Sequence, residues 1–169
     1  MMDTYFPAIT KKYCCCDEYW RDCTDGAVKA ISSLFFLVSI NASLSEHVKT
    51  LPHHDRKNIA VGICALFIFG FFNDVEDAWL VNLEANIMVQ LPTGVFFLFP
   101  SALIMHWNVD KKEFYSSEYP LRFITTPKGQ CPNGLNEQLL HKMDSGRGSI
   151  VFFTPGQMFA PLYTGALTR

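Results

Sequence analysis

The chain has 169 residues, of which 49% are apolar and 14% aromatic, and its formal net charge is −2. This length predicts a single domain over residues 1–169, and the apolar fraction excludes an intrinsically disordered chain. The slight negative charge gives no overall basic surplus for gripping a phosphate backbone.

Residues 1–32 form a polar, partly helical lead-in that contains four of the six cysteines. No basic start followed by an apolar core precedes the first apolar stretch, so we expect an intracellular protein, nuclear or cytoplasmic, with free thiols. A zinc site at Cys14, Cys16 and Cys23 is the alternative, although the paired C-x-x-C spacing of structural zinc modules is missing. Residues 22–26 are turn-forming and predict the cap of a helix over residues 27–33.

From residue 34 onward the pattern changes to short apolar segments separated by turn-forming residues, which is typical of β-strands. Many short strands with frequent turns predict a mainly β fold, such as a sandwich, barrel or jelly roll. The predicted strands cover residues 34–40, 59–72, 78–83, 87–90, 95–99, 103–107, 121–125 and 150–153.

The longest apolar segment, at residues 59–72, is shorter than the roughly 20 residues that a membrane-spanning helix needs. It is rich in Phe and Ile and is interrupted by Gly62 and Gly70. We therefore interpret it as a buried strand and predict no membrane association. A small membrane protein with two short hairpin spans is the alternative.

Residues 110–146 interrupt the strand pattern with polar and turn-rich sequence. Within them, LNEQLLHKMDSG predicts a short helix that ends at Gly146. We interpret residues 110–146 as a long insertion before the last core strand. Long insertions of this kind are often lids or binding loops.

His53 and Asp55 lie two positions apart, so in an extended chain both side chains point to one side and His54 points away. A second imidazole from a neighbouring strand would complete a set of two imidazoles and one carboxylate, which binds Fe(II) and leaves positions open. His106 follows an apolar segment and is the best candidate for this ligand. A polar loop at residues 53–55 and a buried neutral His106 are the simpler explanations of each part alone.

Arg147 and Ser149 have the same spacing at the start of a predicted strand. A guanidinium can hold a carboxylate through two charge-assisted hydrogen bonds, and a hydroxyl can add a third. This pair would suit the distal carboxylate of 2-oxoglutarate. A turn with a solvated arginine is the alternative, and Arg122 is a rival anchor.

Short motifs surround these candidate residues over roughly residues 33–108 and 147–159. In chain order they are Asn41 after an apolar strand, Pro52-His53-His54-Asp55-Arg56-Lys57-Asn58, Gly62-Ile63-Cys64, Gly70-Phe71-Phe72-Asn73, Pro92 with Gly94, Pro100-Ser101-Ala102, His106-Trp107-Asn108, and Arg147 and Ser149 with Thr154 and Gly156. In this order they resemble a fungal family of TET/JBP-like 2-oxoglutarate/Fe(II)-dependent oxygenases. That family is common in mushroom-forming fungi and often lies near transposable elements.

The resemblance implies a double-stranded β-helix, the jelly-roll or cupin-like fold, in which His53, Asp55 and His106 hold Fe(II). It implies that Arg147 and Ser149 bind 2-oxoglutarate, and that the enzyme uses O₂ to hydroxylate a C–H bond of a methylated pyrimidine in DNA or RNA. The chain departs from the family at Val75-Glu76-Asp77, where members have Lys-Gly-Gly, and this puts two acids near the expected substrate edge. A catalytically inactive jelly-roll domain that binds a partner or nucleic acid is the second hypothesis.

Overall fold

The computed structural model describes residues 2–42, 49–114, 121–125 and 146–164. The chain is mainly β, with two four-stranded sheets and a helical N-terminal segment, so the predicted fold class is confirmed at this level. The elements are α1 (Met2–Tyr5), α2 (Pro7–Cys23), β1 (Leu37–Asn41), β2 (Cys64–Phe71), β3 (Trp79–Asn82), β4 (Ile87–Val89), β5 (Phe96–Phe99), β6 (His106–Val109), α3 (Lys111–Phe114), β7 (Arg122–Ile124), β8 (Gly146–Phe153), a 3₁₀ helix (Gly156–Phe159) and α4 (Ala160–Thr164).

The lead-in is helical as predicted, but the helix lies earlier in the chain. Helix α2 has Pro7 in its first turn, where a proline is favoured because its fixed φ suits a helix start. Asp25 (φ 49°) and Gly26 (φ 77°) are left-handed, and the Gly26 amide donates to the Arg21 carbonyl at 2.8 Å. This geometry ends a helix, so the predicted helix over residues 27–33 is wrong.

All eight predicted strands are present, with shifted ends. The predicted strand at residues 59–72 begins only at Cys64, because residues 60–61 form a turn in which the Gly62 amide donates to the Ile59 carbonyl at 2.9 Å. Strand β6 begins at His106, since residues 103–104 belong to a turn closed on the Pro100 carbonyl. Strand β8 begins four residues earlier than predicted, at Gly146. No helix in the described ranges is long and apolar enough to cross a membrane.

The first sheet has the order β1-β8-β2-β5 and is antiparallel throughout. The second has the order β6-β3-β4-β7, in which β7 pairs parallel to β4 and the other pairs are antiparallel. Within the predicted insertion, the described residues form α3 and β7. The helix predicted over LNEQLLHKMDSG lies outside the described residues, apart from Gly146.

Alternating side chains divide the apolar residues into three clusters, because successive residues of a strand face opposite sides of a sheet. The middle cluster lies between the two sheets and includes Leu66, Ile68, Leu80, Val89 and Phe99. A second cluster joins α2 to the outer face of the first sheet, and a third covers the outer face of the second sheet. The space between the sheets is therefore flanked by packed layers on both sides.

Tyr13 ties helix α2 to the start of β2. Its hydroxyl donates to the Ile63 carbonyl at 3.0 Å and accepts from the Ile63 amide at 2.9 Å, and the side chain is almost fully buried. Burial raises the pKa of Tyr13 to about 12, so it stays a neutral donor. The same hydroxyl leaves no room for a Cβ at Gly62.

We expect Tyr13→Phe to lower the free energy of unfolding by about 2 kcal/mol, because it leaves both backbone groups of Ile63 buried without partners. Urea denaturation followed by circular dichroism measures the effect. Tyr5→Phe is the matched control, since Tyr5 is 71% exposed. Equal stability of the two variants would contradict this role of the hydroxyl.

Candidate metal centre

Two imidazoles come together where the chain before β2 contacts β6. The His53 amide donates to the His106 carbonyl at 3.2 Å, and the His106 amide donates to the His53 carbonyl at 3.0 Å. The ring centroids are 4.3 Å apart, with an interplanar angle of 50°. One local backbone pairing thus brings together two histidines that are far apart in sequence.

The Asp55 carboxylate lies between these imidazoles. Its Oδ1 is 3.6 Å from Nε2 of His53, and its Oδ2 is 4.0 Å from Nε2 of His106. The three side chains offer ligand atoms that all lie within 4.8 Å of one another. The His54 side chain points away from these three, and its Nε2 lies 3.3 Å from Glu84 Oε1. The predicted sharing of one side by His53 and Asp55 is therefore present.

Backbone carbonyls orient both imidazoles for metal binding. Nδ1 of His53 lies 2.7 Å from the Leu51 carbonyl, and Nδ1 of His106 lies 2.8 Å from the Ile104 carbonyl. A carbonyl only accepts, so each Nδ1 carries a proton, and in the neutral form of each ring the Nε2 lone pair is then available to a metal. Burial lowers the pKa of His106 below its usual value, which favours the neutral, ligating form.

Asn58 holds the Asp55 carboxylate in place through a hydrogen bond. Its Nδ2 donates to Asp55 Oδ2 at 3.3 Å and to Ser101 Oγ at 3.1 Å, while the Asp55 amide donates to the Ser101 carbonyl at 3.0 Å. Ser101 is fully buried in the turn that follows β5. This turn and Asn58 together fix the direction of the carboxylate.

We expect Asn58→Ala to weaken metal binding by about 10- to 100-fold, the range typical for losing a partner of a ligand. Calorimetric titration of the purified variant with Mn(II) measures it. Lys57→Ala is the control, because the exposed neighbouring side chain makes no contact with the carboxylate. Wild-type affinity in Asn58→Ala would show that Asp55 needs no such support.

A cavity of about 300 Å³ opens between the two sheets beside these ligands. Arg147 and Ser149 of β8 both line it, while Gly148 between them faces the other side. A Cβ at Gly148 would collide with the ring of Phe69 on the paired strand, so the glycine lets this ring pack against β8. The predicted shared face of Arg147 and Ser149 is present, and the interpretation as a turn with a solvated arginine is wrong.

Arg147 is the buried cation of this cavity, with 2% of its surface exposed. Burial lowers its pKa to about 10, which still leaves it charged at neutral pH. Arg122, the rival anchor, is exposed on β7 at the edge of the second sheet and does not line the cavity. Of the two candidate anchors, Arg147 is the one that shares a cavity with His53, Asp55 and His106.

Cysteines do not contribute a metal site in the part of the chain that the structure describes. Cys16 is buried and donates its thiol to the Met158 carbonyl at 3.3 Å, whereas Cys23 is exposed at the end of α2. Cys64 lines the cavity, but burial raises its thiol pKa to about 12, so it is not a thiolate ligand at neutral pH. Among described residues, only His53, Asp55 and His106 form a group of three potential ligands.

Sequence reasoning assigned no role to two polar residues that line the cavity, Thr50 and Asn108. The sequence could have indicated Asn108, because this residue lies two positions after His106 and therefore faces the same side of β6 as His106. Glu76 and Asp77 were expected near the substrate edge. They lie in the turn that precedes β3, with the Asp77 amide donating to the Asn73 carbonyl at 2.8 Å, and they do not line the described cavity.

Comparison of the chain with models of known protein families finds no match. Comparison with curated proteins finds none either.

Proposed function

We propose that the chain is an Fe(II)/2-oxoglutarate-dependent dioxygenase that hydroxylates a C–H bond of its substrate. The observation that carries the proposal is that the three candidate ligands and the buried Arg147 line one cavity between the sheets. Two histidines and one carboxylate alone would also suit the metal ions of many hydrolytic or structural sites. A buried cation in the same cavity adds a place for a dicarboxylic co-substrate.

The strand order supports a double-stranded β-helix. For this comparison the segment that ends at His53, which pairs with β6 at the isolated His53–His106 bridge, is counted as a second strand, and β7 as part of the insertion. In this count β1 is strand 1, the segment that ends at His53 is strand 2, β2 to β6 are strands 3 to 7, and β8 is strand 8. The first sheet then has the order 1-8-3-6. The second sheet has the order 2-7-4-5. Counted in this way, the order matches that of a jelly roll, which supports this part of the proposal.

The donor set fits iron(II). Two neutral imidazoles and one carboxylate on one side of an ion are the ligands of non-haem Fe(II) oxygenases, which leave the remaining positions open. Thiolates, which favour zinc or copper(I), are absent from the described site because Cys64 stays protonated. His53, Asp55 and His106 would hold the ion, with the Leu51 and Ile104 carbonyls and Asn58 orienting them.

Other cavity residues would bind the co-substrate and exclude water. Arg147 and Ser149 would bind the distal carboxylate of 2-oxoglutarate through charge-assisted hydrogen bonds. Leu66, Leu80 and Val151 give the cavity apolar walls that exclude water. Bound iron, with 2-oxoglutarate and O₂, would supply the oxidation of a substrate C–H to C–OH, coupled to conversion of 2-oxoglutarate to succinate and CO₂.

The proposal extends to a methylated pyrimidine in DNA or RNA, the substrate class that the family resemblance implies. The His53 side chain is 41% exposed and that of Asp55 is 29% exposed, so the ligand side of the cavity is open to solvent. A base taken out of its stack could approach from this side. Mass spectrometry of an oligonucleotide containing 5-methylcytosine, incubated with the loaded enzyme, would detect the gain of one oxygen atom.

Succinate formation tests the central proposal. The purified chain is loaded with Fe(II) and 2-oxoglutarate without oxygen, then exposed to air, and succinate is measured with and without a chelator. Iron-dependent succinate is the expected result. Binding of iron and 2-oxoglutarate without succinate would favour a catalytically inactive binding domain instead, and binding of neither would overturn both the cofactor assignment and the enzyme.

A further inference from the structure

Asn108 lines the cavity from the side opposite Arg147. It lies on β6, paired with Leu80 of β3, and 91% of its surface is buried. Arg147 and Ser149 belong to the first sheet. The cavity therefore has polar groups on both of its walls, and on the second sheet Asn108 has no part in the proposed binding of iron.

Thr50 fixes the orientation of the Asn108 amide. The Thr50 hydroxyl donates to Asn108 Oδ1 at 3.1 Å and accepts from the Asn108 backbone amide at 3.2 Å. Because Oδ1 is held in this way, the amide group cannot turn its NH₂ toward Thr50 without losing the bond. The Nδ2 group is left buried without a hydrogen-bond partner among the described residues.

A buried NH₂ group without an acceptor is costly, and native proteins rarely keep one unless a ligand or water completes it. The nearby polar groups that the proposed function assigns to the co-substrate are the guanidinium of Arg147 and the hydroxyl of Ser149. An added NH₂ donor in the same cavity matches a ligand rich in acceptors. A carboxylate is such a ligand, since its two oxygens accept about four hydrogen bonds and donate none.

We infer that Asn108 Nδ2 donates a hydrogen bond to a carboxylate of 2-oxoglutarate, so that the co-substrate is held from both sheets, and that Thr50 is the positioning residue for this contact. The inference rests on the proposed function. It adds a specificity-determining residue on the wall that also carries His106. Binding of the co-substrate would thereby give Asn108 Nδ2 the hydrogen-bond acceptor that the described residues do not provide.

Asn108→Asp is the decisive variant. It keeps an Oδ1 that accepts from Thr50 but replaces the NH₂ group with a carboxylate oxygen, which repels the ligand. We expect its affinity for 2-oxoglutarate, measured by calorimetry with the Mn(II)-loaded protein without oxygen, to fall by about 10- to 100-fold. Mn(II) affinity, measured with the metal alone, is expected to stay at the wild-type level.

Two Thr50 variants separate positioning from packing. Thr50→Val removes the hydroxyl at nearly constant volume and is expected to weaken 2-oxoglutarate binding by about tenfold. Thr50→Ser keeps the hydroxyl and is expected to restore the affinity. This pair also provides a test if Asn108→Asp does not fold, which circular dichroism would reveal.

The outcomes distinguish the inference from the function on which it rests. If the wild-type protein binds Mn(II) but not 2-oxoglutarate, the proposed function fails and the inference fails with it. If the wild type binds both while folded Asn108→Asp or Thr50→Val binds 2-oxoglutarate as tightly as the wild type, the inference alone is overturned. A loss of Mn(II) affinity equal to the loss of 2-oxoglutarate affinity would also overturn it, because Asn108 would then act on the metal site.

Discussion

Replacing Asp55 with alanine is expected to abolish metal binding and all turnover of 2-oxoglutarate. The variant removes the only carboxylate of the described triad and leaves two neutral imidazoles, which hold Fe(II) poorly without it. Loss of a residue that merely supports a ligand weakens binding by about 10- to 100-fold, so loss of the ligand itself should exceed about 100-fold. Titration with Mn(II) or anaerobic Fe(II), followed by the succinate assay, measures both effects.

His54→Ala is the matched control for this experiment. His54 is adjacent to both ligands in sequence, but its imidazole faces Glu84 and does not reach the site. Metal affinity in this variant should equal that of the wild type, whereas His53→Ala should behave like Asp55→Ala. Full metal affinity in both His53→Ala and Asp55→Ala would disprove the site.

The second large effect is expected from Arg147→Met, which should abolish binding of 2-oxoglutarate while metal affinity is retained. Methionine fills much of the same volume but cannot pair with a carboxylate. Removing one partner of a buried, hydrogen-bonded charge pair costs about 2–5 kcal/mol, which corresponds to a loss of affinity of roughly 30-fold or more. Calorimetry with Mn(II)-loaded protein and 2-oxoglutarate in the absence of oxygen measures the loss.

Stability of Arg147→Met separates loss of binding from loss of fold. A circular dichroism spectrum equal to that of the wild type would show that the variant folds, so that a loss of binding then reflects the missing guanidinium. Arg122→Met changes the exposed rival arginine and should leave 2-oxoglutarate affinity intact. If Arg122→Met abolishes binding and Arg147→Met does not, the anchor has been assigned to the wrong residue.

Local rules predicted the parts of the site that depend on neighbours in sequence. The shared face of Arg147 and Ser149 follows from strand alternation alone, and so does the outward direction of His54. The choice of His106 as the third ligand rested on order along the chain and on the family resemblance. Its pairing with His53 depends on how two sheets close, which no local pattern contains.

Errors in the sequence prediction arose where contacts distant in sequence override local pattern. Residues 59–63 look like the start of a strand, but Tyr13 occupies the space beside Gly62 and bonds to Ile63, which holds this stretch in a turn. The lead-in was predicted to be helical, but the position of helix α2 was not, because its buried face mixes polar and apolar side chains, including Thr10, Tyr13 and Asp17. An apolar stripe, the usual signal of a surface helix, is therefore weak.

Thr50 and Asn108 show the same limit. They are 58 positions apart, and their hydrogen bond depends on the contact of the chain before β2 with β6, where His53 pairs with His106. A buried hydrogen-bond donor without an acceptor can be recognised only when the positions of all residues around it are known. The sequence can suggest that Asn108 faces the cavity, but not that its Nδ2 lacks an acceptor.

The backbone pairing between His53 and His106 consists of two hydrogen bonds, with no regular strand around His53. Short pairings of this kind open more easily than the long ladder between β2 and β8. An ion held by both histidines would act as a cross-link that keeps this edge closed. Metal loading would then be coupled to local folding, and the metal-free protein would open first at the candidate metal centre.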